Sequence, residues 1–194
     1  ELAIVGVRPK PEGLTAALTL RSDSLSFSRS DMVSLQGKGY FFSRDGRLLS
    51  NEGEVQARTV DGLIYTLRFG EVVYGSGLAV TAGTNADSSP GEESGENRYL
   101  FVTVNFDKSI FPEPAQPANV DFRTKADSTW TNEDRQNKAL DDAYRQWADK
   151  YNRSQTRASE LNARFARWYY VISSESFEKL RPSRSDLVKK SEVK

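Results

Sequence analysis

The chain has 194 residues, of which 27 are lysine or arginine and 27 are aspartate or glutamate, so its formal net charge is zero. This length fits one domain, or one domain with a sizeable insertion, and the balanced charge gives no general reason to expect nucleic acid as a partner. The chain contains no histidine and no cysteine. Their absence excludes Ser-His-Asp triads, thiolate chemistry and the usual zinc ligand sets within this chain.

The first segment is apolar and strand-like, from Leu2 to Val7. Pro9 and Pro11 end it, and a short helix is predicted from about Glu12 to Leu18, because proline is favoured near a helix start. The serine-rich stretch that follows predicts irregular structure or a short helix after Ser30.

Two Asp-Gly dipeptides predict β-hairpins, because both positions tolerate the positive φ angles of tight turns. Asp45-Gly46 lies between the apolar runs of "GYFFSRDGRLLS", and Asp61-Gly62 lies between those of "EVQARTVDGLIYTLRF". In the second hairpin, apolar positions alternate with others from Leu63 to Phe69. This period predicts a strand with one buried face.

A further strand is predicted from Val72 to Thr81, followed by an acidic, glycine-bearing loop from Gly83 to Asn97. The loop carboxylates suit a hard cation such as calcium, which prefers several oxygen ligands. The spacing of a calcium loop is absent, however, so a solvated loop is the simpler interpretation, and neither a metal nor a cofactor is expected. These carboxylates belong to Asp87, Glu92, Glu93 and Glu96.

A clear strand, Arg98 to Phe106, precedes a proline-rich connector and a long helical insertion from about Pro112 to Arg167. Thr131 and Asp134 resemble a capping box at the helix start. Apolar and small residues then recur at 4-3 spacing, which predicts one seam along a helix from Asn132 to Phe165. The seam consists of Leu140, Tyr144, Trp147, Tyr151, Ser154, Ala158, Leu161 and Phe165.

Two features of this helix could serve a partner. Tyr144, Trp147 and Tyr151 could form an aromatic ligand or partner surface, although packing of the helix on its own sheet explains them more simply. Lys150, Arg157 and Arg164 lie seven residues apart and form a ridge that flanks the seam. The ridge could meet an acidic partner or lipid head groups, and the alternative is a solvated face with local salt bridges such as Arg157 or Arg164 with Glu160.

The chain then runs directly from the helix into a β-prone segment, Trp168 to Ile172. Ser173 or Ser174 is suited to cap a short final helix that ends at Pro182. The predicted fold is a single α+β domain over residues 1–194. It has a mostly antiparallel sheet built from β-hairpins, helices packed on one face, and the long helical insertion (about 112–167) before the last strand.

Several stretches together resemble the bacterial family catalogued as domain of unknown function 4340. They are "IVGVRPKPEGL", "DGRLLSNEGEV", "DGLIYTLRFGEV", "NRYLFVTVNFD" and "WYYVISSESFEKLRPSRSDLV". The family typically carries a DG-x-x-YTL-x-FG strand and a YYVIS-x-x-x-F-x-KL ending. The resemblance spans most of the chain, with residues 83–97 and 112–164 as variable insertions.

The resemblance implies a cellular location but no chemical reaction. Such proteins usually face the cell envelope and carry an N-terminal membrane anchor, and some are encoded beside gliding-motility-type ABC transport components. No apolar run here approaches transmembrane length, and the chain starts at Glu1. We therefore expect an extracytoplasmic (periplasmic-side) domain whose anchor would lie upstream of this sequence. The family supplies no catalytic residues.

Two hypotheses about function follow. The first is a non-catalytic envelope module that binds protein partners, such as those of a transport or motility-type assembly, with Lys150, Arg157 and Arg164 as the candidate partner-binding residues. The second is a hydrolase or carbohydrate-active domain that uses carboxylates. A deep pocket with two facing carboxylates, one with a raised pKa, would distinguish them. The sequence offers no such pair, because Asp141 and Asp142 point about 100° apart on a helix.

Overall fold

The computed structural model of the protein describes residues 2–15, 28–74 and 96–181. The chain is α+β, as predicted. Residues 12–15 are helical. The other α-helices and the strands, in chain order, are β1 (Ile4–Pro9), α1 (Arg29–Gln36), β2 (Tyr40–Phe42), β3 (Leu48–Ser50), β4 (Glu54–Arg58), β5 (Leu63–Val73), β6 (Asn97–Phe106), α2 (Asn132–Ala166), β7 (Trp168–Ile172) and α3 (Ser174–Leu180). Three short 3-10 helices lie between β6 and α2, at Lys108–Ile110, Asp121–Thr124 and Asp127–Thr129.

The strands form a five-stranded antiparallel sheet in the order β1-β7-β6-β5-β4 and a two-stranded sheet of β2 and β3. Both predicted Asp-Gly turns are confirmed. Gly46 has φ +79° and Gly62 has φ +78°, a backbone conformation that glycine adopts without the Cβ penalty. The last strand joins the sheet as predicted, since Arg98 of β6 pairs with Ile172 of β7.

The chain divides into two compact units. The sheet unit comprises Glu1–Ala57, Tyr65–Thr103 and Asn162–Lys194, and the helix unit comprises Arg58–Ile64 and Val104–Leu161. Strands β4, β5 and β6 and helix α2 each contribute residues to both units. The single domain expected over 1–194 stays a prediction.

In the sheet unit, helical residues cover both faces of the sheet. Tyr99 and Phe101 of β6 belong to one apolar cluster, which includes Leu35 of α1. Leu100, between them on the strand, belongs to a second cluster with Phe177 of α3. Successive strand residues point to opposite faces, so the prediction of helices on one face is corrected to helices on both.

The same arrangement corrects the prediction of one buried face for Leu63–Phe69. Thr66 was placed on the open face, yet it is only 2% exposed. Arg68, on that face too, is largely covered, and its guanidinium donates to the Leu48 carbonyl and the Thr103 hydroxyl. Alternation in a sequence shows which residues share a face, but a polar side chain with buried partners can line a covered face as well.

The direct passage from α2 to β7 is explained by residues near the N-terminus. The last carbonyls of a helix have no intrahelical partner. Here Lys10 Nζ donates to the Phe165 carbonyl at 3.0 Å, Thr15 Oγ1 donates to the Ala166 carbonyl at 3.4 Å, and the Lys10 backbone N–H donates to the Arg167 carbonyl at 2.8 Å. The helix therefore ends without glycine or proline, because a segment about 155 residues earlier caps it.

Both helix caps that were predicted from short motifs are present. Thr131 Oγ1 accepts from the Asp134 N–H at 3.2 Å, and Asp134 Oδ2 accepts from the Thr131 N–H at 2.9 Å, which completes the capping box of α2. Ser173 Oγ accepts from the Ser176 N–H at 3.2 Å and caps α3. Helix α2 runs without a break from Asn132 to Ala166, one residue beyond its predicted end at Phe165.

Candidate functional site

A groove in the helix unit brings together two of the three predicted partner-binding residues. Its volume is about 880 Å³, and its walls include Lys150 and Arg157 of α2. Arg153 lies between them and also lines the groove. Arg164 is exposed on the same helix but belongs to the sheet unit and does not line the groove.

The wall opposite these cations begins at the Asp61-Gly62 turn. Val60 at the tip of the turn is fully exposed, at 100% relative accessibility. The turn is closed by the Gly62 N–H donating to the Thr59 carbonyl at 3.1 Å, and the Asp107 N–H donates to the Gly62 carbonyl at 2.8 Å. These bonds hold Val60 beside the groove.

Phe111 supplies the apolar part of the groove lining. A Cβ on Gly62 would lie 2.8 Å from the Phe111 ring, so the turn needs glycine for contact as well as for backbone conformation. The Phe111 carbonyl accepts from the Trp147 indole N–H at 2.9 Å. The ring packs on Phe106 at a centroid distance of 5.6 Å. Phe111 is therefore fixed by both the seam of α2 and the end of β6.

The aromatic residues of the seam pack within their own unit, which favours the simpler interpretation of Tyr144, Trp147 and Tyr151. Their rings contact one another in sequence at 5.3 Å, and the Tyr151 ring meets Phe106 edge-on at 5.0 Å. All three are half-buried. The indole is thus a supporting contact behind Phe111.

The cations that line the groove form only weak ion pairs with acidic residues of their own helix. Arg153 lies 3.8 Å from Asp149, and Arg157 lies 3.5 Å from Glu160, with all four side chains more than half exposed. Exposed pairs of this kind contribute about 0–1 kcal/mol each. Within the described ranges, Lys150 forms no ion pair or hydrogen bond. All three cations are therefore available to an acidic ligand.

Sequence reasoning found part of this site and missed the rest. The seven-residue spacing selected Lys150, Arg157 and Arg164 and passed over Arg153. The signal was present nonetheless, since positions 150, 153 and 157 follow the i, i+3, i+7 spacing of one helix face. Val60 and Phe111 are distant in sequence, and no local pattern could place them opposite these cations.

Two carboxyl groups of the helix unit, those of Asp134 and Asp141, form ion pairs with nearby cations. Asp141 is buried and lies 2.6 Å from Arg123 and 3.0 Å from Arg145. Hydrogen bonds from Lys125 and from Thr131 hold the pKa of Asp134 down to about 2. The lowered pKa of Asp134 keeps that carboxyl ionised at neutral pH, whereas a general acid needs a raised pKa. Asp134 therefore does not favour the carboxylate-hydrolase hypothesis.

The sheet unit contains a buried lysine that the sequence did not reveal. Lys10 is only 6% exposed, and its ammonium nitrogen lies 4.1 Å from the Phe101 ring centroid and 5.2 Å from that of Tyr169. Burial lowers the pKa of Lys10 to about 7. Its hydrogen bond to the Phe165 carbonyl gives it a structural role, which is to close the end of α2.

Most of the acidic loop lies outside the described residues, and so do its Asp87, Glu92 and Glu93. Positions 75–81 of the strand that was predicted from Val72 to Thr81 also lie outside them. Among the residues that the structure does describe, no group of three or more acidic side chains is arranged to hold a metal ion. None of the described helices is long and apolar enough to cross a membrane.

Comparison with known proteins found no matching family model, no matching curated protein and no matching solved structure. The resemblance drawn from sequence motifs therefore stays a prediction. The function must be argued from the geometry of the chain itself.

Proposed function

We propose that this protein is a non-catalytic, envelope-associated module that binds a protein partner through the groove of its helix unit. The observation that carries this proposal is the groove itself, where Lys150, Arg153 and Arg157 line one wall and the exposed Val60 and the ring of Phe111 line another. Apolar surface beside available cations is typical of a surface that recognises a protein.

The envelope setting rests on the motif resemblance and on nothing in the groove. We propose that the domain acts on the extracytoplasmic side, with a membrane anchor upstream, as an accessory part of a transport or motility-type assembly. Cell fractionation of the bacterium that encodes the chain tests this proposal. Recovery of the native protein in the cytoplasmic fraction alone would contradict it.

Partner binding can be tested by selecting from a random peptide library displayed on phage, with the immobilised chain as bait. We expect enriched peptides whose capture is reduced by the Lys150→Glu, Arg157→Glu double variant. Arg164→Glu is the matched control, since it is an exposed cation on the same helix that does not line the groove. Equal losses of peptide capture for both variants would show that binding depends on the whole cationic ridge and not on the groove in particular. No enrichment of any peptide would refute the proposed function.

A further inference from the structure

We propose that the occupant of the groove is an extended segment of a partner protein that carries one large apolar side chain and two carboxylates about three residues apart. This inference rests on the proposed function and adds the chemistry of the partner.

The apolar side chain of the partner has a defined place to bind. Val60 is fully exposed although it lies at the tip of a hydrogen-bonded turn, where polar residues are usual. Phe111, beside it in the groove, is half-buried. Covering this pair would remove apolar surface from water, which favours association in proportion to the area buried. A single large side chain suffices to cover both.

The cations set the spacing of the carboxylates. Lys150 and Arg157 lie seven residues apart on a helix that rises 1.5 Å per residue, which places their backbones about 10 Å apart along the axis. An extended polyproline-II segment rises about 3.1 Å per residue, and residues three apart share a side of the segment. Two carboxylates in an i, i+3 relation are thus about 9 Å apart, which is close to the spacing of the cations.

The groove also contains carboxylates that orient the ligand. Asp61 lies next to Val60 on the turn, and Glu160 lies near the end of the cationic row. A segment with its carboxylates toward the turn would meet Asp61, whereas the reverse orientation brings them to Lys150 and Arg157. We therefore expect the apolar side chain to face Val60 and the carboxylates to face α2.

The same two carboxylates disfavour a nucleic acid in this groove. A continuous phosphate backbone would pass both Asp61 and Glu160, and like charges at close range oppose binding. The formal net charge of the whole chain is zero, so it supplies no general attraction for a polyanion. A discrete pair of carboxylates on an otherwise neutral segment avoids Asp61 and comes near only Glu160, whose 3.5 Å pair with Arg157 is exposed and therefore weak.

Synthetic peptides test the inference by fluorescence polarisation. The parent is a labelled octapeptide with one phenylalanine and two glutamates three residues apart, and its matched forms carry glutamine or lysine in place of both glutamates. We expect the glutamine form to bind the wild-type chain about fivefold or more weakly than the parent, since each exposed charge pair contributes up to about 1 kcal/mol. We expect a higher salt concentration to reduce the difference in affinity between the parent and the glutamine form.

Reversing a charge on the chain and on the peptide in turn makes the test specific to the groove. Lys150→Glu should weaken binding of the parent peptide about fivefold and strengthen binding of the lysine form, while Arg164→Glu should change neither. Val60→Ser should weaken all three peptides alike. Because all three altered side chains are exposed, circular dichroism should show each variant folded. Peptide affinities that do not respond to charge, or an equal effect of Arg164→Glu, would overturn the inference.

The library selection separates the two proposals. If it yields groove-dependent peptides that lack acidic residues, the inference about the occupant is wrong and the proposed function stands. If it yields no peptide whose capture depends on Lys150 and Arg157, both are wrong.

Discussion

Replacing Lys10 with methionine should change the way that stability depends on pH. Methionine keeps a long, flexible, apolar side chain among the rings but cannot carry a charge. It also removes the hydrogen bond to the Phe165 carbonyl, a loss of about 1 kcal/mol that does not depend on pH. The part of the stability difference between the wild type and Lys10→Met that changes with pH reports the ionisation of the buried amine.

The sign of that difference follows from proton binding. Burial lowers the pKa of Lys10 from 10.5 to about 7 in the folded chain. Between these two pH values the unfolded chain holds a proton on Lys10 that the folded chain has released. Because the unfolded state then binds more protons, the stability of the wild type rises as pH rises through this window and is flat below it.

The magnitude follows from the same shift. Full linkage over the window corresponds to about 5 kcal/mol, since each pKa unit is worth about 1.4 kcal/mol. Between pH 7 and pH 9 the wild type should therefore gain about 2 kcal/mol relative to Lys10→Met. Tyr169 does not interfere in this range, because burial raises its pKa to about 12. Lys38 is present in both proteins, so its titration cancels in the difference.

Urea unfolding of both proteins at several pH values from 6 to 9, followed by tryptophan fluorescence, measures this difference. Thermal unfolding of the same samples by circular dichroism provides a second measurement. If the stability difference were constant from pH 6 to pH 9, Lys10 would titrate near its ordinary pKa, and the argument from burial would be refuted. A wild type that loses stability relative to the variant as pH rises would reverse the sign and refute it as well.

Three further substitutions test the packing and the caps. Trp147→Ala should lower the free energy of unfolding by about 2–3 kcal/mol in urea titrations, below the 3–5 kcal/mol of a fully buried ring, because the indole is half-buried. An unchanged melting temperature with loss of self-association, measured by analytical ultracentrifugation, would instead mark the seam as an oligomer interface. Thr131→Ala should cost about 1 kcal/mol through the lost cap of α2, and an unchanged urea midpoint would contradict this. Gly70→Ala should cost more than about 3 kcal/mol by thermal unfolding, because a Cβ there would overlap the Lys38 carbonyl oxygen, and a shift of the melting temperature under a few degrees would show that the backbone can move aside.

Local patterns in the sequence were enough to predict most helices and strands. The Asp-Gly pairs predicted both hairpin turns because the positive φ at Gly46 and Gly62 is a property of the residue and its immediate neighbours. The capping box and the 4-3 spacing together predicted α2 to within a residue of its observed ends, Asn132 and Ala166. Each of these signals acts over a few residues, so it can be read without knowledge of the rest of the fold.

The candidate site was predicted only in part, for the same reason. The basic character of α2 is visible in its sequence, and Lys150 and Arg157 do line the groove. Whether such cations face water, a salt bridge or a cavity depends on what lies opposite them. Here that is Val60 and Phe111, which come from segments about 40 to 90 residues away.

Tertiary structure alone decided which polar residues are buried. Lys10 stands in the stretch "RPKPE", which is typical of a solvated turn, yet its amine lies against Phe101 and caps α2 at Phe165. The sequence by itself determined the helices, the hairpins and the α+β class, because backbone conformation responds to near neighbours. The second covered face of the sheet, the closed end of α2 and the groove arise from contacts between segments far apart in the chain, and only folding brings those segments together.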